Sequence, residues 1–151
     1  MDFSIRRCGE CNKRGFSLVN VHGVWHRPWK DFPSVFMTED FHVWRCNHCQ
    51  AEASAAGSGA ETDAVIEKSL RNQTSQFLEI IKSRSGLSYE EIGKRIGITA
   101  PYISNLRGQK KTPSFSVWSM LKLCAKHPEM LKEVLDPDYD IEKENILLRH
   151  V

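Results

Sequence analysis

The pattern of hydrophobic and polar positions changes once along this chain, near residue 60. Before that point, apolar and polar residues alternate in residues 16–21 and 41–45, and both stretches are rich in β-branched and aromatic side chains. Period-two alternation of this kind predicts β-strands, and Pro28 and Pro33 mark turns between them. The first fifty residues are therefore predicted to form β-hairpins.

The second half of the chain follows a helical period. Its first predicted helix ends near Gly86. Its apolar residues fit one helical face: Val65, Leu70, Phe77, Leu78, Ile80 and Ile81. Ser88 and Glu91 then form a capping box for a short helix, and Thr99 caps another that has Pro101 in its first turn. With two more near the C-terminal end, four or five short helices are predicted.

Residues 51–63 separate these halves and are small, polar and almost free of large apolar side chains. This composition predicts a flexible linker. The alternative is that the C-terminal part of the stretch already forms the first turn of the following helix. The chain is therefore expected to be an α+β protein of two domains, β-rich in residues 1–50 and all-α in residues 64–136, with a tail at 137–151.

Four of the five cysteines form two matched pairs, Cys8-x-x-Cys11 and Cys46-x-x-Cys49. Four thiolates are the ligand number of tetrahedral Zn²⁺, so the pairs predict one structural zinc per chain and a zinc-ribbon-like domain. A region of about 50 residues has too little core to fold without such support. A thioredoxin-type redox pair would need a βαβ context, which is missing here.

Histidines leave a second interpretation of the metal site open. His48 lies between the second pair of cysteines and can replace one of them, although an exposed histidine is the simpler reading. His22, His26 and His42 have no recognisable ligand spacing for a catalytic metal. The fifth cysteine, Cys124, lies in a helical pattern and is expected to pack as a small apolar residue.

Charge is distributed unevenly along the chain. The formal net charge is only +2, yet the segment from Lys94 to Lys111 holds five basic residues and no acid. Two short predicted helices, 88–96 and 99–107, overlap this segment and are joined around Gly97, which is a helix-turn-helix pattern. The second helix of such a unit enters the DNA major groove. A helical bundle with a solvated basic face is the alternative.

The predicted DNA contacts lie on and around this second helix. Asn105 is the best candidate for reading a base, because its amide can bind adenine bidentately, whereas Lys94 and Arg95 are the weakest phosphate candidates. The full candidate set is Ser88, Thr99, Ala100, Pro101, Tyr102, Ser104, Asn105, Arg107, Lys110 and Lys111. Double-stranded DNA with a pseudo-palindromic operator is the expected partner, bound by a homodimer formed through the C-terminal domain.

A family resemblance supports this interpretation. The run from Leu87 to Leu106, with Gly108 and Thr112-Pro113-Ser114, resembles the phage-repressor (XRE/Cro) helix-turn-helix. The order of cysteine pairs, hairpins, helix-turn-helix and Lys126-His127-Pro128-Glu129 is similar to the MqsA family of antitoxins. This resemblance implies a repressor of its own operon, whose zinc domain holds an mRNA-cleaving toxin. A zinc-ribbon transcription regulator with no toxin is the alternative.

Aromatic residues of the N-terminal region are the candidate partner contacts. Trp25, Trp29 and Phe36 are predicted to contact a partner protein, since a small ribbon cannot bury all of its aromatic side chains. The alternative is that they form the core of the ribbon.

Several functions are not expected from this sequence. It contains no visible nucleophile–base pair, carboxylate dyad or phosphate-binding glycine loop, so an enzyme is not expected. The N-terminus has no apolar signal-peptide region, and no apolar run approaches the ~20 residues that span a bilayer. We therefore expect a cytoplasmic protein without membrane segments.

Overall fold

The computed structural model of the chain describes residues 6–25, 28–53 and 58–133. Three strands, β1 (Phe16–Trp25), β2 (Val35–Cys46) and β3 (Glu52–Ala53), form an antiparallel sheet in the order β1-β2-β3. Phe16 pairs with Cys46 at one end of the hairpin and Trp25 with Val35 at the other. Both predicted strands are therefore confirmed, and both are longer than the alternation indicated.

Within the described ranges, five helices follow the sheet, so the protein is α+β as predicted. They are α1 (Ser58–Ser85), α2 (Tyr89–Ile96), α3 (Ala100–Arg107), α4 (Phe115–Lys126) and α5 (Met130–Glu133). Residues 134–151, which include the predicted tail, lie outside the described part of the chain.

Local capping chemistry sets the ends of the short helices. Ser88 and Glu91 form the predicted capping box, and Gly97 ends α2 with a left-handed φ of 70°. Thr99 occupies the N-cap position of α3 without a capping hydrogen bond from its side chain. Ser114 caps α4 through the N–H of Val117. The sequence signals therefore located these boundaries to within about one residue.

The linker predicted for residues 51–63 is too long. Strand β3 occupies residues 52–53, and α1 begins at Ser58 rather than at residue 64. Residues 58–63 therefore agree with the alternative prediction, in which the C-terminal part of the stretch already belongs to the following helix. The reason is partly tertiary, because the carboxylate of Asp63 in this added turn accepts a hydrogen bond of 2.8 Å from the indole N–H of Trp29.

Two larger hydrophobic cores organise the described residues of α1 to α5 and the hairpin, and a small third cluster consists of Cys8, Phe16 and Cys46. The helical core lies among all five helices and consists of Leu78, Ile81, Ile92, Ile103, Leu106, Leu121, Cys124, Ala125 and Leu131. The second core joins the hairpin region to α1 and α4, and consists of Trp29, Phe32, Val35, Met37, Phe41, Ile66, Leu70 and Trp118. The sheet therefore packs against the helices instead of standing apart from them.

Polar contacts reinforce this packing. The backbone N–H and hydroxyl of Thr38 both donate to the hydroxyl of Ser69, at 3.1 and 3.2 Å. The N–H of Phe115, at the start of α4, donates to the carboxylate of Asp31 at 2.8 Å. A residue of the hairpin connection thus supplies an acceptor to a helix N-terminus 84 positions away in sequence, where an anion is favourable.

Candidate metal centre and the surface of α3

Each cysteine pair lies in a tight loop, and the two loops have the same backbone hydrogen bonds. The N–H of Cys8 donates to the carbonyl of Lys13, and the N–H of Asn12 donates back to the carbonyl of Cys8, both at 2.8 Å. In the second loop, the N–H of Cys46 donates to Ala51 at 2.9 Å, and Gln50 donates to Cys46 at 3.0 Å. Each loop thus points two sulfurs toward one position.

A left-handed residue closes each loop at the same place. Asn12 and Gln50, each four positions after the first cysteine of its pair, have φ values of 58° and 63°. Gly9, which lies between the first two cysteines, is not among the glycines with positive φ. Asparagine adopts this conformation more readily than most residues.

The four sulfurs of Cys8, Cys11, Cys46 and Cys49 all lie within 4.8 Å of one another. The Cys8–Cys49 and Cys11–Cys46 sulfur pairs are 3.5 and 3.6 Å apart. Four thiolates at about 2.3 Å from a tetrahedral ion have sulfur–sulfur separations of about 3.8 Å. The cluster can therefore hold a metal ion, and it is the one group of three or more potential ligands among the described residues.

The electrostatics of the second loop favour a thiolate. Backbone N–H groups of Cys49 and His48 point at the sulfur of Cys46 and lower the pKa of this thiol to about 6. The N–H of Ala51 also lowers the pKa of Cys49, but burial and the Cys11, Cys8 and Cys46 sulfurs raise that pKa to about 12. The backbone N–H groups around Cys46 thus favour the thiolate form in the second loop.

His48 and Cys124 are placed as their simpler interpretations predicted. The ring of His48 is exposed, and its Nε2 lies 3.1 Å from the carbonyl oxygen of Arg14, outside the sulfur cluster. Cys124 is buried in the helical core, and this burial raises the pKa of its thiol.

The second candidate site is the surface of α3, which packs on the core through Ile103 and Leu106. Most of the residues proposed to contact DNA are exposed, whereas Tyr102 and Asn105 are half-buried. The exposed set is Ser88, Thr99, Ala100, Pro101, Ser104, Arg107, Lys110 and Lys111. Apart from Ser88, which caps the start of α2, these residues belong to α3 and to the segments directly before and after it.

Three of these candidates, Ser88, Arg107 and Lys111, have side-chain contacts within the protein, and the ammonium of Lys111 lies 5.7 Å from the ring centroid of Tyr102. The hydroxyl of Ser88 donates to the carboxylate of Glu91 and accepts from the Glu91 N–H. The guanidinium of Arg107 lies 4.8 Å from the ring centroid of Tyr89, a cation–π contact that leaves it exposed. Ser88 is therefore held by the helix cap.

The two weakest phosphate candidates are engaged elsewhere. Lys94 forms an ion pair of 2.9 Å with Glu90. The guanidinium of Arg95 donates to the carbonyl of Leu131 at 2.6 Å. Of the basic segment, Lys110 and Lys111 thus remain the exposed lysines without an acidic partner among the described residues.

The aromatic candidates for partner contact separate into three cases. Trp29 is only 8% exposed and belongs to the second core, so its predicted contact with a partner is wrong. Phe36 is 54% exposed on the same hairpin, and the side chain of Trp25 lies outside the described part. Leu18 was not predicted as a contact, although it is 53% exposed on β1. Its signal is the adjacent Val19, because neighbouring residues of a strand point to opposite faces of the sheet and only one of the two can face the same core.

No family profile matches this chain, and no curated protein has a similar sequence. Across residues 6–25, 28–53 and 58–133, the structure contains no helix with the length and apolarity needed to cross a bilayer.

Proposed function

We propose that this protein is a sequence-specific DNA-binding transcriptional repressor that uses α2 and α3 as a helix-turn-helix. The observation that carries the proposal is the surface of α3, whose leading residues are exposed while Lys110 and Lys111 follow its C-terminal end. The first residues of such a second helix read base edges, and nearby lysines hold the phosphates.

Three side chains have distinct roles in this proposal. Asn105 reads an adenine, because its side-chain amide can form two hydrogen bonds with the edge of this base. Thr99 makes no capping hydrogen bond with its side chain, so its hydroxyl is available to a phosphate or a base. Ser104, which is exposed on α3, contacts either a base or a phosphate through its hydroxyl. The protein acts as a homodimer on a pseudo-palindrome with half-sites about 34 Å apart.

Zn²⁺ is the metal proposed for the cysteine cluster, because an all-thiolate tetrahedral set suits zinc and iron best. Cys8, Cys11, Cys46 and Cys49 would hold it with no open position for water or substrate, which makes the role structural. No catalytic function is therefore proposed. Elemental analysis of the purified chain tests this assignment, with one zinc and no iron per chain as the expected result.

The N-terminal region is proposed to bind a toxin, which makes the protein the antitoxin of a type II toxin–antitoxin operon. The resemblance to the MqsA family supports this role, and the exposed Phe36 and Leu18 offer apolar anchors on the hairpin. The second candidate is a stand-alone regulator without a toxin, for which these side chains serve another partner.

DNA recognition is tested by selecting a binding site from random duplexes and then measuring variants on it. Asn105→Ala should weaken specific binding by about 1–3 kcal/mol and leave non-specific binding unchanged. Asn72→Ala on α1 is the matched control and should change neither. Equal losses for specific and non-specific DNA would show that Asn105 does not read a base.

The phosphate contacts are tested by salt dependence. Replacing Lys110 and Lys111 with alanine should lower the slope of log K against log salt by about 0.9 per lost contact. Lys122→Ala, on α4, is the control and should leave the slope unchanged. An unaltered slope in the double variant would remove these lysines from the DNA interface.

The antitoxin role is tested by growth. The gene adjacent to this one is expressed alone, with the intact protein, and with a Phe36→Asp variant. Toxicity that the intact protein relieves and Phe36→Asp does not supports an antitoxin that binds through the hairpin. A harmless neighbour refutes the antitoxin role and favours the stand-alone regulator.

A further inference from the structure

A groove lies between α4 and the end of the hairpin connection. It has a volume of about 380 Å³, with Pro33 and Ser34 on one side and residues of α4 on the other. Small-molecule sites have volumes of about 300–1,000 Å³ and often lie where two parts of a fold meet. The size and the position of the groove therefore suit a small ligand.

Apolar side chains form part of the groove surface. Leu123 is 45% exposed there. Phe115 is half-buried, and its ring stacks on that of Trp118 at an interplanar angle of 20°. Trp118 itself is only 9% exposed, so Leu123 and Phe115 supply most of the apolar surface that a ligand can cover.

Two lysines line the same groove, and no acid does. Lys122 and Lys126 are four residues apart on α4, so their side chains leave the same face of the helix. Neither forms an ion pair with an acid of the described ranges. A cation in the last turn offsets the helix dipole, which accounts for Lys126 but not for Lys122, whose ammonium lies 4.7 Å from the ring centroid of Trp118.

We propose that this groove binds a small amphipathic anion, such as an aromatic carboxylate or sulfonate. Its apolar body covers Leu123 and Phe115, and its charged group lies between the ammonium groups of Lys122 and Lys126. Inorganic phosphate would leave the apolar surface in water, and an uncharged hydrocarbon would leave both lysines without a counter-charge. This binding site is separate from the surface of α3 and does not depend on DNA recognition.

Fluorescence titration of the full chain with two dyes tests the charge. Anilinonaphthalene sulfonate is an amphipathic anion, and phenylnaphthylamine has the same rings without the charge. Lys122→Gln with Lys126→Gln should raise the Kd of the sulfonate about tenfold and that of the neutral dye by less than about twofold, because screened contacts with each lysine add a factor of a few. The matched control, Lys110→Gln with Lys111→Gln, should change neither Kd. No binding of the sulfonate by the intact chain, or an equal effect of the first pair on both dyes, would overturn the proposal.

A second variant tests the apolar surface and the location of the dye. Leu123→Ser should raise the Kd of both dyes about tenfold, because a covered leucine contributes roughly that factor. Ile80→Ser is the matched control, since Ile80 is 37% exposed on α1 and should have no effect. Amide NMR shifts upon addition of the sulfonate should be largest in α4 and at Ser34. Shifts confined to the hairpin around Leu18 and Phe36 would overturn the assignment to this groove.

Discussion

Phe32 joins the hairpin region to the helices, and its replacement by alanine gives the most direct test of the shared core. Its side chain is 1% exposed. Its ring centroid lies 5.4 Å from that of Phe115, 5.9 Å from Trp118 and 6.1 Å from Trp29. Two of these three neighbours belong to α4, so the loss of the ring should be felt in the helical half.

The magnitude follows from burial. Removing a fully buried phenylalanine ring forfeits roughly 2–3 kcal/mol of transfer free energy, and the remaining cavity adds about 1–2 kcal/mol. We therefore expect Phe32→Ala to lower the free energy of unfolding by about 3–5 kcal/mol. In a chain of 151 residues, this corresponds to a decrease in Tm on the order of 10 °C.

Urea unfolding of the metal-loaded chain measures the effect with two probes. Circular dichroism at 222 nm reports the helices, and release of the metal to a chromogenic chelator reports the cysteine loops. Phe36→Ala is the matched control, because this phenylalanine is 54% exposed and should change stability by only about 0.5 kcal/mol. If Phe32→Ala does not lower the urea midpoint of the helical transition, the shared core is refuted.

Three further predictions concern the metal, the helix cap and the helical fragment. Cys46→Ser should abolish stoichiometric metal binding, whereas Cys124→Ala should retain one ion per chain by elemental analysis; equal retention would exclude the four-cysteine site. Hydrogen bonds from Ser88 hold the pKa of Glu91 below its usual value. The ionised carboxylate therefore stabilises the folded state at pH values above the pKa that Glu91 has in the unfolded chain. This stabilisation is lost as the pH falls through the lower pKa of the folded state. Glu91→Gln should therefore lower Tm at pH 7 and have little effect near pH 3; an equal decrease at both would refute the linkage. A fragment that begins at residue 64 should unfold at lower urea than the intact chain, because it exposes Trp118; an unchanged midpoint would contradict this.

The cysteine site was predictable because its signal is local. Two cysteines separated by two residues indicate a tight loop, and four thiolates from two such loops match the ligand number of a tetrahedral metal ion. The geometry of the loops was less predictable. The backbone adopts its left-handed conformation at Asn12 and Gln50, because the hydrogen bonds of each loop close after its second cysteine.

The helices after residue 86 were predictable for a similar reason. A capping box, a proline in the first turn and a glycine at the end act within a few residues of each helix boundary. Residues 58–63 show the limit of this logic. Their small polar side chains favour a linker, yet Asp63 receives a hydrogen bond from Trp29, a residue 34 positions away that composition cannot bring near.

By itself, the sequence determined the two cysteine loops, the hairpin strands and the short helices, because each depends on neighbours within about one turn or one strand. Only the tertiary structure decided which apolar faces meet. It buried Trp29 and left Phe36 exposed, although both are aromatic residues of the same hairpin region. It also brought Asp31 to the start of α4. Burial requires two surfaces that contact each other, and the pattern of apolar and polar residues along one segment describes only one of these surfaces.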